Sequence, residues 1–183
     1  MSPKKHDRLW QTKIKLQNCR FKEITKEIQV SVQKKTGLSQ NHIINFLSCS
    51  PHFIGAFGQN ELNVIEFKSF PVSLIVNTDN SYGFGEHWIF IYISKRTLEI
   101  FCPLGFNIFN FKNVPCSLLS FLNKHSRVKK IRIFRRTQSD TSVLCGYFCV
   151  MFALIRPLLS YSYLHSVFTS VVSSRKLLLK FFK

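Results

Sequence analysis

Three residues of this chain have the types and the order that nucleophilic attack on a carbonyl group requires, namely His87, Gln138 and Cys145. A thiol attacks as the thiolate, so it needs an imidazole that takes its proton and donors that hold the resulting oxyanion. Cys145 supplies the thiol, His87 the imidazole and the Gln138 side-chain amide one donor. The second donor is expected to be the backbone N–H of Cys145. Together these groups have the chemistry of a cysteine peptidase.

The segments around these residues predict the elements that position them. A polar run over residues 138–142, followed by an apolar run from Gly146 through Ile155, predicts a loop that leads into a buried helix over residues 145–155. Cys145 would then lie at the N-terminus of that helix. A strand is predicted over residues 87–94, after a loop of Asn, Asp and Gly residues that could form part of a substrate cleft.

The remaining patterns predict one α+β domain with a central mixed sheet. We predict a basic N-terminal extension over residues 1–36 and a single domain over residues 37–183. Ser39 is a plausible N-cap for a short helix over residues 39–47. Further strands are predicted over residues 73–77, 97–101 and 129–134, and a further helix over residues 115–123.

The cysteines and the apolar runs bear on the class of protein. Six cysteines follow no regular spacing, so a reducing compartment is the better inference than a disulfide framework. Cys145 and Cys149 would need distant histidines to hold zinc, and we predict no metal. The charged first residues have no apolar core of a signal peptide. The most apolar run contains Arg156 and Pro157, which favours a buried helix over a membrane span.

Collinear blocks between residues 37 and 152 resemble the adenovirus-type endopeptidases, or adenains, in the clan of the ubiquitin-like-protein proteases. Gly85-Glu86-His87-Trp88 is similar to the family's Gly-x-His-Trp, which carries its catalytic histidine. Residues 138–152 match Gln-x3-Ser-x2-Cys-Gly-x-Phe-Cys-x-Met-Phe, which carries the nucleophile and the oxyanion-hole glutamine. Similar blocks are Ser-Pro-His-Phe-Ile-Gly-Ala-Phe at 50–57, Leu-Ile-Val-Asn-Thr at 74–78 and Pro-Leu-Gly-Phe at 103–106. The resemblance implies a papain-like, adenain-like fold.

One position departs from the family pattern. The family has Glu or Asp directly before the Pro-x-Gly-Phe block, where it orients the histidine, and this chain has Cys102. A thiol is neutral at pH 7 unless its pKa is depressed, so it replaces a carboxylate poorly. Glu99 and Glu86 would face away on regular strands, whereas Asp140 could approach from the loop before Cys145. We therefore predict a Cys145–His87 dyad with Gln138 rather than a full triad.

Charge is the second informative feature of the chain. The 26 Lys and Arg residues outnumber the 9 Asp and Glu residues, which gives a formal net charge of +17. Such an imbalance of charge destabilises the compact state unless a polyanion neutralises it. We expect this polyanion to be DNA, which the basic side chains would contact through its phosphates. In residues 130–134 the alternation of basic and apolar side chains predicts a strand with one basic and one core face. The basic residues form two clusters, one from Lys4 to Lys35 and one from Lys124 to Arg136.

The resemblance implies a viral or virus-like cysteine endopeptidase that processes precursor proteins during virion maturation, in the virion and the host nucleus. Such an endopeptidase requires no cofactor for its chemistry, and DNA or a short basic viral peptide would serve as an activator. Two alternatives stay open. One is an isopeptidase of the same clan that acts on ubiquitin-like tails, and the other is a catalytically inactive, DNA-binding virion protein that keeps the protease fold.

Overall fold

The computed structural model describes residues 25–26, 28–30, 36–105, 114–127, 130–168 and 170–182. The strands are β1 (Phe53–Gly58), β2 (Val72–Asn77), β3 (Trp88–Ile93), β4 (Thr97–Phe101) and β5 (Lys130–Ile133). The helices are α1 (Gln40–Leu47), α2 (Cys116–Ser126), α3 (Cys145–Ile155), α4 (Tyr161–Val167) and α5 (Val171–Phe181), with a 3-10 helix at Gln59–Val64. Residues 25–26 and 28–30 are helical as well.

The five strands form one mixed sheet in the order β1-β2-β3-β4-β5. The outer pairs, β1 with β2 and β4 with β5, are parallel, and the two inner pairs are antiparallel. All residues of β2 and β3 are buried, since both faces of these strands are covered, and apart from Ser73 and Asn77 in β2 their sequences are apolar or aromatic.

Successive side chains of the sheet enter two different hydrophobic cores. The main core contains Ile75, Phe90 and Phe101 and packs against α3. The second core contains Ile89 and Ile100 and packs against α2. Helix α3 is buried over every residue except Cys145, which is half-buried. An all-apolar helix of this kind belongs inside the protein, and only its first residue reaches the surface.

The sequence predictions for the fold are largely confirmed. The mixed sheet and the buried helix over residues 145–155 are present, as is the strand over residues 97–101. Ser39 caps α1, because its Oγ accepts a hydrogen bond from the His42 N–H at 3.3 Å. Strand β3 begins one residue later than predicted, so His87 lies directly before it. Among the described residues, no helix is long and apolar enough to cross a membrane.

The predicted division of β5 into a basic and a core face is wrong. Ile131 is 42% exposed, and Arg132 is partly buried because its guanidinium lies 3.3 Å from the Glu99 carboxylate. Arg132 is the register partner of Glu99 in the β4–β5 pair, so its guanidinium lies beside that buried carboxylate instead of on a solvated basic face.

The described residues on either side of position 36 share one core. Ile28 is fully buried in the main core, and the Gln29 amide donates a hydrogen bond to the Phe182 main-chain oxygen at 2.5 Å. The Tyr147 hydroxyl donates to the Thr36 main-chain oxygen at 2.8 Å. The division into residues 1–36 and 37–183 stays a prediction.

Candidate active site

His87, Gln138 and Cys145 line one cavity of about 700 Å³. Its walls are the start of α1, the loop over residues 78–86 and the loop that leads into α3. The structure thus brings together all three residues that the sequence singled out, although they lie on different elements of the chain.

Cys145 is the first residue of α3, and it lines the cavity. The first backbone N–H groups of a helix have no partner within the helix, so they are available at this end of α3. Leu144 precedes it as N-cap and makes no side-chain capping bond, so these N–H groups can serve an anion. Burial raises the pKa of the Cys145 thiol, and hydrogen bonds from the backbone N–H groups of Trp88 and Gly146 oppose that shift without cancelling it. The resting group is therefore the thiol.

His87 is 8% exposed and is held at both its backbone and its ring. Its main-chain oxygen accepts a hydrogen bond from the Thr78 N–H at 2.9 Å, which aligns the residue with β2. Its Nε2 atom lies 3.3 Å from the Sγ atom of the fully buried Cys102. Burial lowers the pKa of His87 from 6.5 to about 4, because the charged ring would be desolvated. At neutral pH the imidazole is uncharged.

Gln138 is 3% exposed and is fixed by the turn that follows β4. The backbone N–H groups of Thr137 and Gln138 both donate to the Pro103 main-chain oxygen at 2.9 Å. The Gln138 amide nitrogen donates to the Ser142 main-chain oxygen at 2.5 Å. A primary amide carries two N–H donors, so this bond leaves the second for a ligand in the cavity.

Gly105 allows this turn to pack closely. It has φ +74°, and a Cβ atom there would lie 2.5 Å from the Cβ of Arg136. Its N–H donates to the Cys102 main-chain oxygen at 2.8 Å, which closes the turn. The same turn therefore positions Cys102 beside His87 and supports the segment after β5 that leads to Gln138.

The loop over residues 78–86 forms another wall of the cavity, and the side chains of Asn77 and Asp79 help to hold it. The Asp79 carboxylate accepts from the N–H groups of Asn80 at 2.7 Å and Gly85 at 3.1 Å. The Asn77 side-chain oxygen accepts from the N–H groups of Asp79 at 2.9 Å and Glu86 at 3.1 Å. A loop braced in this way keeps its backbone shape without a bound ligand.

This braced loop carries two exposed aromatic side chains. Tyr82 is 82% exposed and Phe84 is fully exposed, and Phe84 lines the cavity. The sequence analysis did not single out either residue, since an exposed aromatic cannot be told from a buried one by type. Their position directly before the histidine motif was the available signal.

The carboxylates considered as orienting groups for His87 have other partners. The Glu86 carboxylate accepts from the Thr78 hydroxyl at 3.4 Å, and Asp140 pairs with Arg136 at 2.6 Å. Buried Glu99 pairs with Arg156 at 2.5 Å on the main-core side of β4. The prediction that Glu99 faces away from the site is confirmed. The structure places the Cys102 thiol 3.3 Å from the Nε2 atom of His87.

Among the described ranges, no group of three His, Cys, Asp or Glu residues could hold a metal ion.

The comparisons with known proteins bear on the fold. Neither a protein-family model nor a curated protein matches the sequence. A crystal structure of the pS273R protease of African swine fever virus (ASFV) has a TM-score of 0.54 at 13% identity, covering 86% of this chain and 79% of that chain. A selenomethionine crystal structure of ASFV pS273R protease has a TM-score of 0.46 at 17% identity, covering 80% and 68%. The chain thus shares its fold with the pS273R protease, and membership of the adenovirus-type endopeptidases stays a prediction.

Proposed function

We propose that this chain is a cysteine endopeptidase that processes viral precursor proteins. The observation that carries the proposal is the meeting of Cys145, His87 and Gln138 in one cavity, at the N-terminus of a buried helix. The likeness to a viral protease supports the same conclusion, since the shared fold is one that hosts this chemistry. Virion maturation, in the particle and the host nucleus, follows from the family resemblance.

The proposed reaction uses the cavity groups in a fixed order. His87 takes the proton of the Cys145 thiol while Sγ attacks the substrate carbonyl carbon and a C–S bond forms. The Cys145 N–H and the second Gln138 N–H hold the oxyanion. The C–N bond then breaks, the amine leaves with the proton from His87, and a thioester remains. Water attacks the thioester with His87 as base, which releases the acid and restores the thiol.

The pKa values favour an uncharged starting pair. Burial raises the pKa of the Cys145 thiol and lowers that of the His87 imidazole to about 4. A thiolate–imidazolium pair is therefore disfavoured before substrate binds, and proton transfer accompanies the attack. An uncharged pair is consistent with Cys102 at the position where the family has Glu or Asp, because a thiol supplies no negative charge that would stabilise an imidazolium.

The substrate is proposed to lie between the start of α1 and the braced loop over residues 78–86. Phe84 and the 43% exposed Val143 would contact apolar substrate side chains there. Burying an exposed phenylalanine yields about 2 kcal/mol, so Phe84 would contribute to binding rather than to the chemical step. A preference for small residues at the cleavage site follows from the family resemblance.

A DNA contact is proposed for the basic cluster from Lys124 to Arg136. Lys124, Arg127, Lys130 and Arg135 are exposed, whereas Arg132 and Arg136 pair with carboxylates. Lys129 and, except for Lys26, the cluster from Lys4 to Lys35 lie outside the described residues. If these cations bind phosphates, the affinity for duplex DNA falls steeply between 50 and 200 mM salt, by orders of magnitude for several contacts. An affinity that barely changes with salt would contradict phosphate binding.

The peptidase proposal is tested with a peptide whose Gly-Gly end carries an α,β-unsaturated methyl ester in place of the carboxylate (the Gly-Gly vinyl ester), a Michael acceptor whose alkene the active-site thiol attacks. Mass spectrometry of the adduct is expected to identify Cys145, with the exposed Cys49 and Cys116 as internal references for ordinary thiols. Modification of Cys145 should be lost in His87→Ala and in Cys145→Ser. Equal modification of all accessible thiols, unaffected by His87→Ala, would favour the inactive virion protein. Faster cleavage of isopeptide-linked ubiquitin-like tails than of linear peptides would favour the isopeptidase.

A further inference from the structure

Cys102 occupies a position that several independent contacts define. It follows β4 directly, and its side chain lies in the second core with Leu98 and Ile100. Its main-chain oxygen accepts from the Gly105 N–H at 2.8 Å. The main-chain oxygen of the neighbouring Pro103 accepts from the backbone N–H groups of Thr137 and Gln138. The 3.3 Å separation between Cys102 Sγ and His87 Nε2 is thus set by the backbone on both sides of the thiol.

We propose that Cys102 is a positioning residue whose thiol sulfur accepts the Nε2–H of His87 and so makes Nδ1 the base that serves Cys145. This inference rests on the proposed peptidase function. A neutral imidazole has one N–H and one acceptor nitrogen, and a partner that accepts from one nitrogen leaves the lone pair on the other. If the thiol instead donated to Nε2, the proton would lie on Nδ1, and the ring could not take the proton of Cys145 from that side.

A thiol suits this position for a physical reason. Cysteine is among the residue types that are buried at least cost, whereas an unpaired buried carboxylate is costly. Two carboxylates of the cavity wall are engaged elsewhere, since Glu86 contacts Thr78 and Asp140 pairs with Arg136. Cys102 is then an uncharged acceptor, which fixes the tautomer and the ring plane without stabilising an imidazolium. The site works from neutral groups, as the pKa directions of Cys145 and His87 also indicate.

The experiment compares Cys102→Ala and Cys102→Ser in the full-length chain by two measurements. The first is the tautomer of His87, read from the 15N chemical shifts of its ring. The second is the rate at which the Gly-Gly vinyl ester modifies Cys145. In the wild type and in Cys102→Ser we expect the Nε2–H tautomer, because a hydroxyl oxygen also accepts. In Cys102→Ala we expect a mixture of tautomers and a rate about fivefold to tenfold lower, the effect that one neutral hydrogen bond supports.

Ile100→Val is the matched control for packing. It removes one methylene from the same strand and the same core, without touching His87. We expect it to lower the melting temperature while the His87 tautomer and the Cys145 rate stay unchanged. A Nδ1–H tautomer in the wild type would overturn the inference. So would an unchanged tautomer and rate in Cys102→Ala, because the thiol would then be a buried apolar group only.

Failure of the inference and failure of the peptidase proposal give different results. If Cys145 reacts rapidly and depends on His87 but not on Cys102, the peptidase stands and the positioning role is wrong. If wild-type Cys145 does not react at all, the peptidase proposal is wrong. The ring spectrum of His87 in Cys102→Ala and Cys102→Ser then still decides whether the thiol sets the tautomer.

Discussion

The Cys149 thiol donates a hydrogen bond to the Trp88 main-chain oxygen at 3.3 Å. Cys149 lies one turn beyond Cys145 on α3, and Trp88 directly follows His87. Trp88 is held in turn by its ring, because its indole N–H donates to the Leu38 main-chain oxygen at 2.8 Å. The Cys149 side chain therefore ties the helix that carries the nucleophile to the backbone of the residue that follows the base, which restrains the spacing of Cys145 and His87.

Gly146 is expected to be essential for this junction. A Cβ atom at this position would lie 3.0 Å from the Leu38 Cβ and 3.2 Å from the Trp88 Cδ1. Gly146→Ala would thus move α3 and β3 apart by a few tenths of an ångström, and a small misplacement of reacting groups lowers the rate strongly. We expect a modification rate of Cys145 about tenfold lower, measured with the Gly-Gly vinyl ester.

Ala153→Gly on the same helix is the control for that change. It lies beyond the site in the buried part of α3 and should cost about 1 kcal/mol of stability through helix propensity, in addition to the loss of a fully buried methyl group. Its modification rate should equal that of the wild type. Equal rates in Gly146→Ala and the wild type would show that the contact with Trp88 does not set the spacing.

Gln138 is expected to act on the chemical step. Gln138→Ala removes an amide donor of the proposed oxyanion hole, and loss of one such donor lowers kcat about 100-fold. KM should change little, because the donor acts on the charge that develops in the transition state. Gln29→Ala is the control. It also removes a hydrogen bond from a side-chain amide to a main-chain oxygen, here that of Phe182, but this bond lies away from the cavity. An unchanged kcat in Gln138→Ala would exclude the amide from the oxyanion hole.

Much of this architecture can be predicted from local sequence patterns. The features that could not be predicted depend on contacts between residues that are far apart in the sequence. The apolar sequences of helix α3 and strand β3 predict their type and burial, and β2 is apolar apart from the buried polar residues Ser73 and Asn77. Strand β1 was not predicted, because its sequence Phe-Ile-Gly-Ala-Phe-Gly contains two glycines and is stabilised by parallel pairing with β2.

The candidate site divides in the same way. The alternation of side chains along a strand correctly predicted that Glu99 faces away from the histidine. Its partner Arg156 lies 57 residues further along the chain, and no local pattern identifies it. The contact between Cys102 and His87 is likewise visible only in three dimensions. From the sequence, Cys102 stood out as the residue that replaces an acid, and the structure adds that its sulfur lies 3.3 Å from the Nε2 atom of His87.

Phe84 is expected to contribute to substrate binding and not to catalysis. It is fully exposed on a loop that Asp79 and Asn77 hold in place, so its burial would occur when a peptide occupies the cavity. Phe84→Ala should raise KM about tenfold, with kcat unchanged, in cleavage of a peptide with apolar residues. Val172→Ala, which removes an apolar side chain of 67% exposure outside the cavity, should leave KM unchanged. A lower kcat in Phe84→Ala would place the residue in the chemical step instead.

The buried imidazole of His87 predicts a pH dependence of stability. Its pKa is about 4 in the folded protein and about 6.5 in the unfolded chain, so the unfolded chain binds the proton first as the pH falls. The free energy of unfolding should therefore decrease between about pH 6.5 and pH 4, with a contribution from His87 of about 3 kcal/mol over that window. Above pH 7 this contribution is constant.

Urea denaturation at pH 7 and at pH 4.5 measures this effect. Because carboxylates also titrate in this range, the informative quantity is the difference between the wild type and His87→Gln. The variant lacks the titrating ring and should lose less stability between the two pH values. Equal losses in both proteins would mean that the ring is solvated and takes up its proton at the ordinary pKa.

Cys102→Asp is expected to change the charge state of the pair. A carboxylate beside Nε2 would favour the imidazolium and raise the pKa of His87 from about 4, so a thiolate–imidazolium pair becomes accessible. We expect faster alkylation of Cys145 by iodoacetamide near pH 7 than in the wild type, although the protein is less stable, because a charge is buried. Cys102→Asn has the same shape without the charge and should leave the pKa of His87 low. NMR titration of the His87 ring and the alkylation rate between pH 5 and 9 decide the outcome. If Cys102→Asp raises the pKa of His87 yet slows cleavage of peptides, the surrounding groups are adapted to an uncharged pair, and the thiol at position 102 is required for that chemistry.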